Sequence, residues 1–185
     1  EADLILLIGT NPRFEATMLN ARIRKAYLNK NPKIISLNNV GDLTYPYQSL
    51  DGKMQTIKDI FENKNEISKE IQNADKPMII LGESFLDCKS ASYLFILIKD
   101  FLLKHNKFTL DWNPLNTLFS DASTVGNLDL DVVDKSNEVL KGLNQNKFEI
   151  IYLLGHDNLF FKKKDEFVIY QGSHGDKGAE SADII

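Results

Sequence analysis

The sequence predicts an α/β fold of layered, mostly parallel strands with helices on both faces. Three short apolar runs each end in a glycine followed by polar residues: Leu4–Ile8 before Gly9, Met78–Leu81 before Gly82, and Ile150–Leu154 before Gly155. Continuous apolar runs of this length are typical of strands buried on both faces, as in parallel sheets. Ligands of such sheets bind outside the carboxyl ends of the strands, so we expect any site to lie beside these glycines.

The first predicted strand, Asp3–Ile8, leads directly into a helix. Asn11 is a suitable N-cap, and Pro12 suits the first helical position. We expect the helix to run to about Leu28, because apolar residues recur at helical spacing at Ala16, Leu19, Ile23 and Ala26. With the strand that follows, this segment forms a βαβ unit, which crosses over right-handedly.

The rest of the chain continues the alternation of strands and helices. Further strands are predicted at Ile34–Leu37, from Pro77 onward, Phe108–Asp111, Phe148–Leu154 and Phe167–Tyr170. Helices are predicted around 54–61, from near Asn65, over Ser90–His105, as a turn at Leu115–Ser120, and over Ser136–Leu143. The helix Ser90–His105 is apolar on more than one face, so we expect it to be covered on more than one side.

Composition limits the class of protein. The 22 basic and 26 acidic residues give a net charge of −4, which argues against a general nucleic-acid binder. The single cysteine, Cys88, excludes an internal disulfide and an all-cysteine metal or iron–sulfur site within these residues. We expect Cys88 to act as a small residue at a helix start. No apolar stretch reaches the ~20 residues that span a bilayer.

The chain opens directly on a strand and stops within another predicted strand at Ala182–Ile185. We therefore expect a fragment of a longer polypeptide. Its 185 residues suffice for one domain with a substantial core. An arrangement of that domain as two lobes, about 1–111 and 112–185, is also open.

The turn Gly9–Arg13 offers backbone N–H groups at a helix start, where an anion could bind. It matches neither the G-x-G-x-x-G nor the G-x-x-x-x-G-K-[ST] pattern. The alternative is a tight turn followed by an Asn-Pro cap, and local pattern favours that alternative.

Other candidate groups have simpler alternatives. Asp129, Asp131 and Asp134 could bind a cation, but their spacing does not match a calcium loop, which favours a solvated loop. His156 beside Asp157, together with His174, could form an acid–base pair, although loop hydrogen bonding is the default. His105 closes a helix, where a cation suits the helix dipole. The basic run 162–164 is interpreted as a solvated turn.

A longer motif carries a family resemblance. The stretch Gly9–Ala16 followed by Asn20–Lys25 resembles the large iron–sulfur subunit of respiratory complex I, NADH-quinone oxidoreductase. The same resemblance extends, in the expected order, to Asp42–Tyr45, Lys76–Gly82 and Tyr170–Asp183. Ser173 stands where a second histidine is expected, and residues 87–147 carry little of the signal.

The resemblance implies a Rossmann-like fold, in the carboxy-terminal region of that subunit that is similar to molybdopterin oxidoreductases. In true molybdoenzymes such loops hold a pterin guanine dinucleotide, whereas in the complex I subunit the domain is a retained scaffold. The 2Fe-2S and 4Fe-4S clusters of the parent are then expected outside this chain, and no cofactor within it. Expected partners are the rest of the subunit and other peripheral-arm subunits, with no nucleic acid and no membrane insertion. The implied location is peripheral, on the cytoplasmic side of the bacterial inner membrane or the mitochondrial matrix side.

No catalytic or metal-binding residue is predicted, so this chain alone is expected to lack an active site. The residues expected to line a vestigial ligand crevice are Gly9, Asn11, Arg13, Gly155, Gln171 and His174. Two alternatives remain open: an active molybdopterin-dependent oxidoreductase and a free-standing nucleotide-binding module.

Overall fold

Two parallel sheets organise the chain, one in each of two units, Glu1–Val125 and Gly126–Ile185. This computed structural model describes residues 1–133, 137–157, 162–175 and 177–185. All named strand pairs are parallel, so the predicted α/β class with mostly parallel strands is confirmed.

The first unit contains a five-stranded sheet. Its strands are β1 Leu4–Ile8, β2 Lys33–Ser36, β3 Gln48–Ser49, β4 Pro77–Gly82 and β5 Leu115–Leu118. They lie in the order β3-β2-β1-β4-β5, with β1 paired to both β2 and β4. The order of the strands therefore reverses between β1 and β4, which is where Rossmann-type sheets bind their ligands.

Helices cover both faces of this sheet. They are α1 Pro12–Glu15, α2 Thr17–Lys30, α3 Met54–Phe61, α4 Glu66–Asn73, α5 Glu83–Leu86 and α6 Ala91–Lys104, and α7 Ala122–Asp129 leads into the second unit. Side chains alternate along a strand, so Leu6 of β1 packs with the cluster formed by α3, α4 and α6. Leu7 faces the opposite cluster, which contains Ile23 of α2 and Leu43 of a loop. This alternation explains why the apolar run of β1 is unbroken.

Three local predictions are wrong. The predicted continuous helix from Pro12 is broken at Ala16, whose backbone (φ −150°, ψ 72°) is not helical. The predicted helical turn at Leu115–Ser120 is instead β5, because Leu115–Leu118 pairs with the exposed edge of β4. The predicted strand Phe108–Asp111 forms only one antiparallel bridge, between Thr109 and Trp112.

Helix α6 supplies much of the core, as predicted. Its buried residues are Ala91, Leu94, Ile98, Phe101 and Leu102. The other face differs from the prediction, because Ile96 is 58% exposed and the residues that the structure describes leave it uncovered. Cys88 precedes this helix, in the turn after α5, and its Sγ lies 3.3 Å from the Ser84 carbonyl oxygen.

The second unit is smaller. Its described elements are α8 Glu138–Asn144, β6 Ile150–Leu154, β7 Phe167–Gln171 and α9 Lys177–Glu180. Strands β6 and β7 are parallel, and Ile184 forms a further parallel bridge to Ile169 of β7. Leu153, Val168, Tyr170 and Ala179 form its core.

Candidate functional site at the carboxyl ends of the strands

The ends of β1 and β4 touch each other at the point where the strand order reverses. Gly9 has a φ of +64°, and a Cβ there would lie 2.6 Å from the Phe85 backbone nitrogen. A Cβ on Gly82 would lie 2.2 Å from the Gly9 carbonyl oxygen. The Ser84 hydroxyl donates a 2.6 Å hydrogen bond to that same oxygen. Both glycines are therefore required by close backbone approach, and the two strand ends are held together.

A carboxylate of the protein itself occupies the turn after β1. Glu15 accepts hydrogen bonds from the Thr10 hydroxyl at 2.6 Å and from the Asn11 backbone N–H at 2.9 Å. The Asn11 side chain caps the helix as predicted, because its oxygen accepts from the Arg13 N–H. Three donors that could have met an external anion at this turn, the Thr10 hydroxyl and the N–H groups of Asn11 and Arg13, are thus engaged by Glu15 and Asn11.

Asn11 and Arg13 bind a neighbouring loop, 38–47. The Asn11 side-chain amide donates to the Val40 carbonyl oxygen at 2.9 Å. Arg13 Nη1 donates to both the backbone oxygen and the carboxylate of Asp42, each at 2.6 Å. The pKa of Asp42 is lowered, first by the hydrogen bond from the Thr44 N–H and then by Arg13. Two predicted site residues therefore fasten this loop to the turn after β1.

The same loop is anchored by residues of α2 that the sequence did not mark as functional. Buried Asn20 donates through its side-chain amide to the Leu43 carbonyl oxygen at 3.0 Å and accepts from the Tyr45 hydroxyl at 2.7 Å. Arg24 donates to the Thr44 carbonyl oxygen. Burial raises the pKa of Tyr45, so its hydroxyl remains a donor. The four-residue spacing of Asn20 and Arg24 was the available signal, since it places two polar residues on one helix face.

The other three predicted residues lie together at the ends of β6 and β7. Gly155 has a φ of +59°, and its N–H donates to the Gln171 carbonyl oxygen at 2.7 Å. The Tyr152 hydroxyl donates to the side chain of Gln171. His174 Nδ1 lies 2.8 Å from the Ser173 hydroxyl, and both residues are exposed. The contacts of Gly155 and Gln171 join the ends of β6 and β7, whereas the contact of His174 is with its neighbour in the chain.

Tyr170 explains two glycines of the last motif, Gly172 and Gly178. Its buried ring lies so close that a Cβ on Gly172 would be 2.2 Å from the Tyr170 hydroxyl. A Cβ on Gly178 would be 2.5 Å from the same ring. Asp157 accepts from the Tyr170 hydroxyl at 3.4 Å and from the Gly178 N–H at 3.1 Å. Gly172, Gly178 and Asp157 thus pack around one aromatic ring.

The six predicted crevice residues thus form two groups of three, one in each unit. Gly9, Asn11 and Arg13 lie after β1. The remaining three lie after β6 and β7.

The remaining candidates can now be placed. Asp129 ends α7 and Asp131 follows it, whereas Asp134 and Asp176 lie outside the described residues. Across the described ranges, no three His, Cys, Asp or Glu side chains are grouped as a metal site would require. The helix-end cation expected at His105 is disfavoured, because burial and two lysines lower its pKa. Within the basic run, Lys163 is not simply solvated, because it pairs with Asp183 at 2.6 Å.

Among the described residues, no helix is both long and apolar enough to span a membrane.

Comparison with known proteins gives matches over the whole chain. A family model described as molybdopterin oxidoreductase matches residues 1–185. The chain is 39% identical to the NADH-ubiquinone oxidoreductase 75 kDa subunit of Reclinomonas americana and 38% identical to the 78 kDa subunit of Candida albicans. It is 35% identical to the NADH dehydrogenase [ubiquinone] iron-sulfur protein 1 of Solanum tuberosum. Each match covers 100% of this chain.

These matches confirm the predicted resemblance to the large iron–sulfur subunit of complex I. The chain spans only 25–27% of the length of these three relatives. The similarity therefore extends over about a quarter of the length of each relative.

Proposed function

This chain belongs to the molybdopterin oxidoreductase family, and we propose that it serves as a structural, non-catalytic domain of the iron–sulfur subunit of NADH-quinone oxidoreductase, complex I. The parent subunit passes electrons from NADH towards quinone. The names of the relatives support this parent, and their length supports placing its activity outside the present residues.

One observation carries the non-catalytic role: a carboxylate of the protein itself engages hydrogen-bond donors of the turn after β1. The family implies a pterin dinucleotide whose phosphates would need free donors and open space beside β1 and β4. Glu15 places a carboxylate on two of the donors at this turn, the Thr10 hydroxyl and the Asn11 N–H. A carboxylate in that position repels phosphate, so these residues do not fit the cofactor.

Electron transfer belongs elsewhere in the parent. Cys88 is the only thiol of this chain, and iron–sulfur clusters are held mainly by sets of cysteines. We therefore assign the 2Fe-2S and 4Fe-4S clusters to the cysteine-rich remainder of the subunit. The partners of the domain are that remainder and the other peripheral-arm subunits, on the cytoplasmic or matrix side of the membrane.

The experiment uses the tagged parent polypeptide in its native host. We expect it to co-purify with a flavin-containing NADH dehydrogenase and membrane subunits, and without pterin fluorescence after oxidative denaturation. A lone protein that carries molybdenum and pterin would overturn the proposal in favour of an active molybdoenzyme.

A matched pair of variants separates a structural role from a catalytic one. Leu6 is fully buried in β1, and Leu6→Ala should reduce the amount of assembled complex, since such a change costs about 2–5 kcal/mol of stability. Leu110 is fully exposed, so Leu110→Ala should leave assembly unchanged. NADH oxidation per bound flavin should be equal in both. A lower rate per flavin in the complex that does assemble with Leu6→Ala would contradict a non-catalytic role.

A further inference from the structure

The sheet of the second unit has one apolar face that the described residues leave open. Along β6, Ile150, Tyr152 and Leu154 point to this side and are 65%, 56% and 71% exposed. Phe167, the β7 partner of Ile150, is 42% exposed. We call these four residues the open face. The alternate residues of the two strands belong to the buried core around Tyr170.

A groove runs along β6 and includes three residues of the open face, Ile150, Tyr152 and Leu154, together with Ile151 and Leu153. It has a volume of about 560 Å³ and runs between β6 and α8. Leu140 and Leu143 of α8, Phe148 and residues of β6 line this groove. Such a concave, apolar surface is shaped to receive other side chains.

Exposure of this apolar sheet face to solvent is unusual for a parallel sheet. Parallel sheets occur almost only with both faces packed, because their strands are apolar on both sides. In the first unit that rule is obeyed, since helices lie on both faces of β1. Contiguous exposed apolar patches commonly mark a contact with other polypeptide.

The topology indicates how that cover is reached. After β7 the chain passes through α9 and returns at Ile184, whose carbonyl oxygen accepts from the Tyr170 N–H at 2.9 Å. Right-handed crossovers that add strands in one direction keep their helices on one face, and Ala179 of α9 is on the buried face. A helix that follows β7 and covers the open face therefore needs a chain that reverses direction and returns towards β6.

The relatives show how much additional polypeptide is available. They are about four times as long as this chain, which covers 25–27% of each of them. We propose that an amphipathic helix from the part of the parent polypeptide outside residues 1–185 packs its apolar face into this groove. The inference rests on the proposed function in one respect, the existence of that longer parent.

The test is a cross-link from the centre of the open face. In the tagged parent, Tyr152→p-benzoylphenylalanine keeps an aromatic side chain and becomes reactive to nearby C–H bonds on illumination. We expect mass spectrometry to find the cross-link in a peptide of the same polypeptide outside residues 1–185. A cross-link to another subunit, to a second copy or to a peptide within residues 1–185 would overturn the proposal, as would no cross-link.

Hydroxyl-radical footprinting of the unmodified parent guards against a misfolded variant. Tyr152 and Tyr93 are similarly exposed in the present structure, at 56% and 53%. A covered Tyr152 should be oxidised on the order of tenfold more slowly than the free amino acid, because reaction then requires a local opening. Oxidation of Tyr152 at the rate of the free amino acid would refute the proposed cover. The oxidation rate of Tyr93 is expressed on the same scale for comparison.

This result and the proposed function can fail separately. A parent that does not co-purify with an NADH dehydrogenase can still give the intrachain cross-link, and a correctly assembled complex can lack it.

Discussion

The hydroxyl of Tyr45 donates a 2.7 Å hydrogen bond to the side-chain oxygen of Asn20, and both residues are buried. Asn20 in turn donates to the Leu43 carbonyl oxygen. One side chain of α2 thereby satisfies the polar groups of a loop that covers one face of the sheet. Two stretches that carry the family resemblance are thus joined by direct contact.

We expect Tyr45→Phe to lower the free energy of unfolding by about 1–3 kcal/mol, because the Asn20 oxygen is left buried without its donor. Urea denaturation measures the change. Tyr27→Phe is the control, since the Tyr27 side chain is partly buried and its hydroxyl makes no hydrogen bond within the described part of the chain. Equal stabilities of the two variants would contradict the role given to the Asn20–Tyr45 pair.

Gly82→Ala should destabilise the first unit by about 1–3 kcal/mol or more, because the new Cβ meets the rigid Gly9 carbonyl and forces the strand ends apart. Thermal unfolding measures the loss. Gly126→Ala is the matched control: Gly126 lies within α7 with no neighbouring atom within 4 Å of the added carbon. That change should stabilise the chain by about 0.5–1 kcal/mol, because alanine favours a helix.

The side chain of Lys107, which belongs to a later segment of the chain, caps the carboxyl end of α4. Its Nζ donates to the carbonyl oxygens of Gln72 at 2.6 Å and Ala74 at 2.7 Å. We expect Lys107→Met to cost about 1.5–3 kcal/mol, the range for hydrogen bonds to charged groups. Lys99 is exposed on α6, so Lys99→Met should change the unfolding midpoint in urea little. A loss in the Lys99 variant as large as that in the Lys107 variant would argue against the capping role.

His105 should make the protein less stable in mild acid. Burial, Lys104 and Lys107 lower its pKa below the ordinary value of 6.5. The unfolded chain then binds the proton more readily than the folded one, so the stability present above pH 6.5 is lost as the pH falls from there through the folded pKa. The measurement compares urea unfolding at several pH values for the native chain and for His105→Phe. The His105→Phe variant should lack this loss of stability at low pH. Identical pH profiles for the variant and the native chain would contradict the role given to His105.

Much of the fold follows from local pattern, and the exceptions have physical causes. The strands around β1 were predicted because their burial on both faces makes the sequence continuously apolar. Strand β5 was missed because Leu115–Leu118 mixes polar with apolar residues and lies at a sheet edge, so its pairing with β4 is a tertiary contact. The break at Ala16 was missed for a related reason. Glu15 turns back to Thr10 and Asn11, and this contact competes with a continuous helix.

The candidate site likewise has features that the sequence predicts and features that it does not. Its position beside the strand-end glycines was predictable from the parallel sheet. The partners of Asn11 and Arg13 were not, since Val40 and Asp42 lie far along the chain and no local spacing relates them.

The central position of β1 has a consequence for synthesis. Ile8 pairs with Leu81, so a nascent chain exposes one edge of its most apolar strand until β4 has left the ribosome. Pairings of such long sequence separation form slowly, and unpaired apolar edges promote aggregation of partly folded chains. We therefore expect the emerging polypeptide to depend on chaperones over this interval, and to be released from them once β4 has docked beside β1.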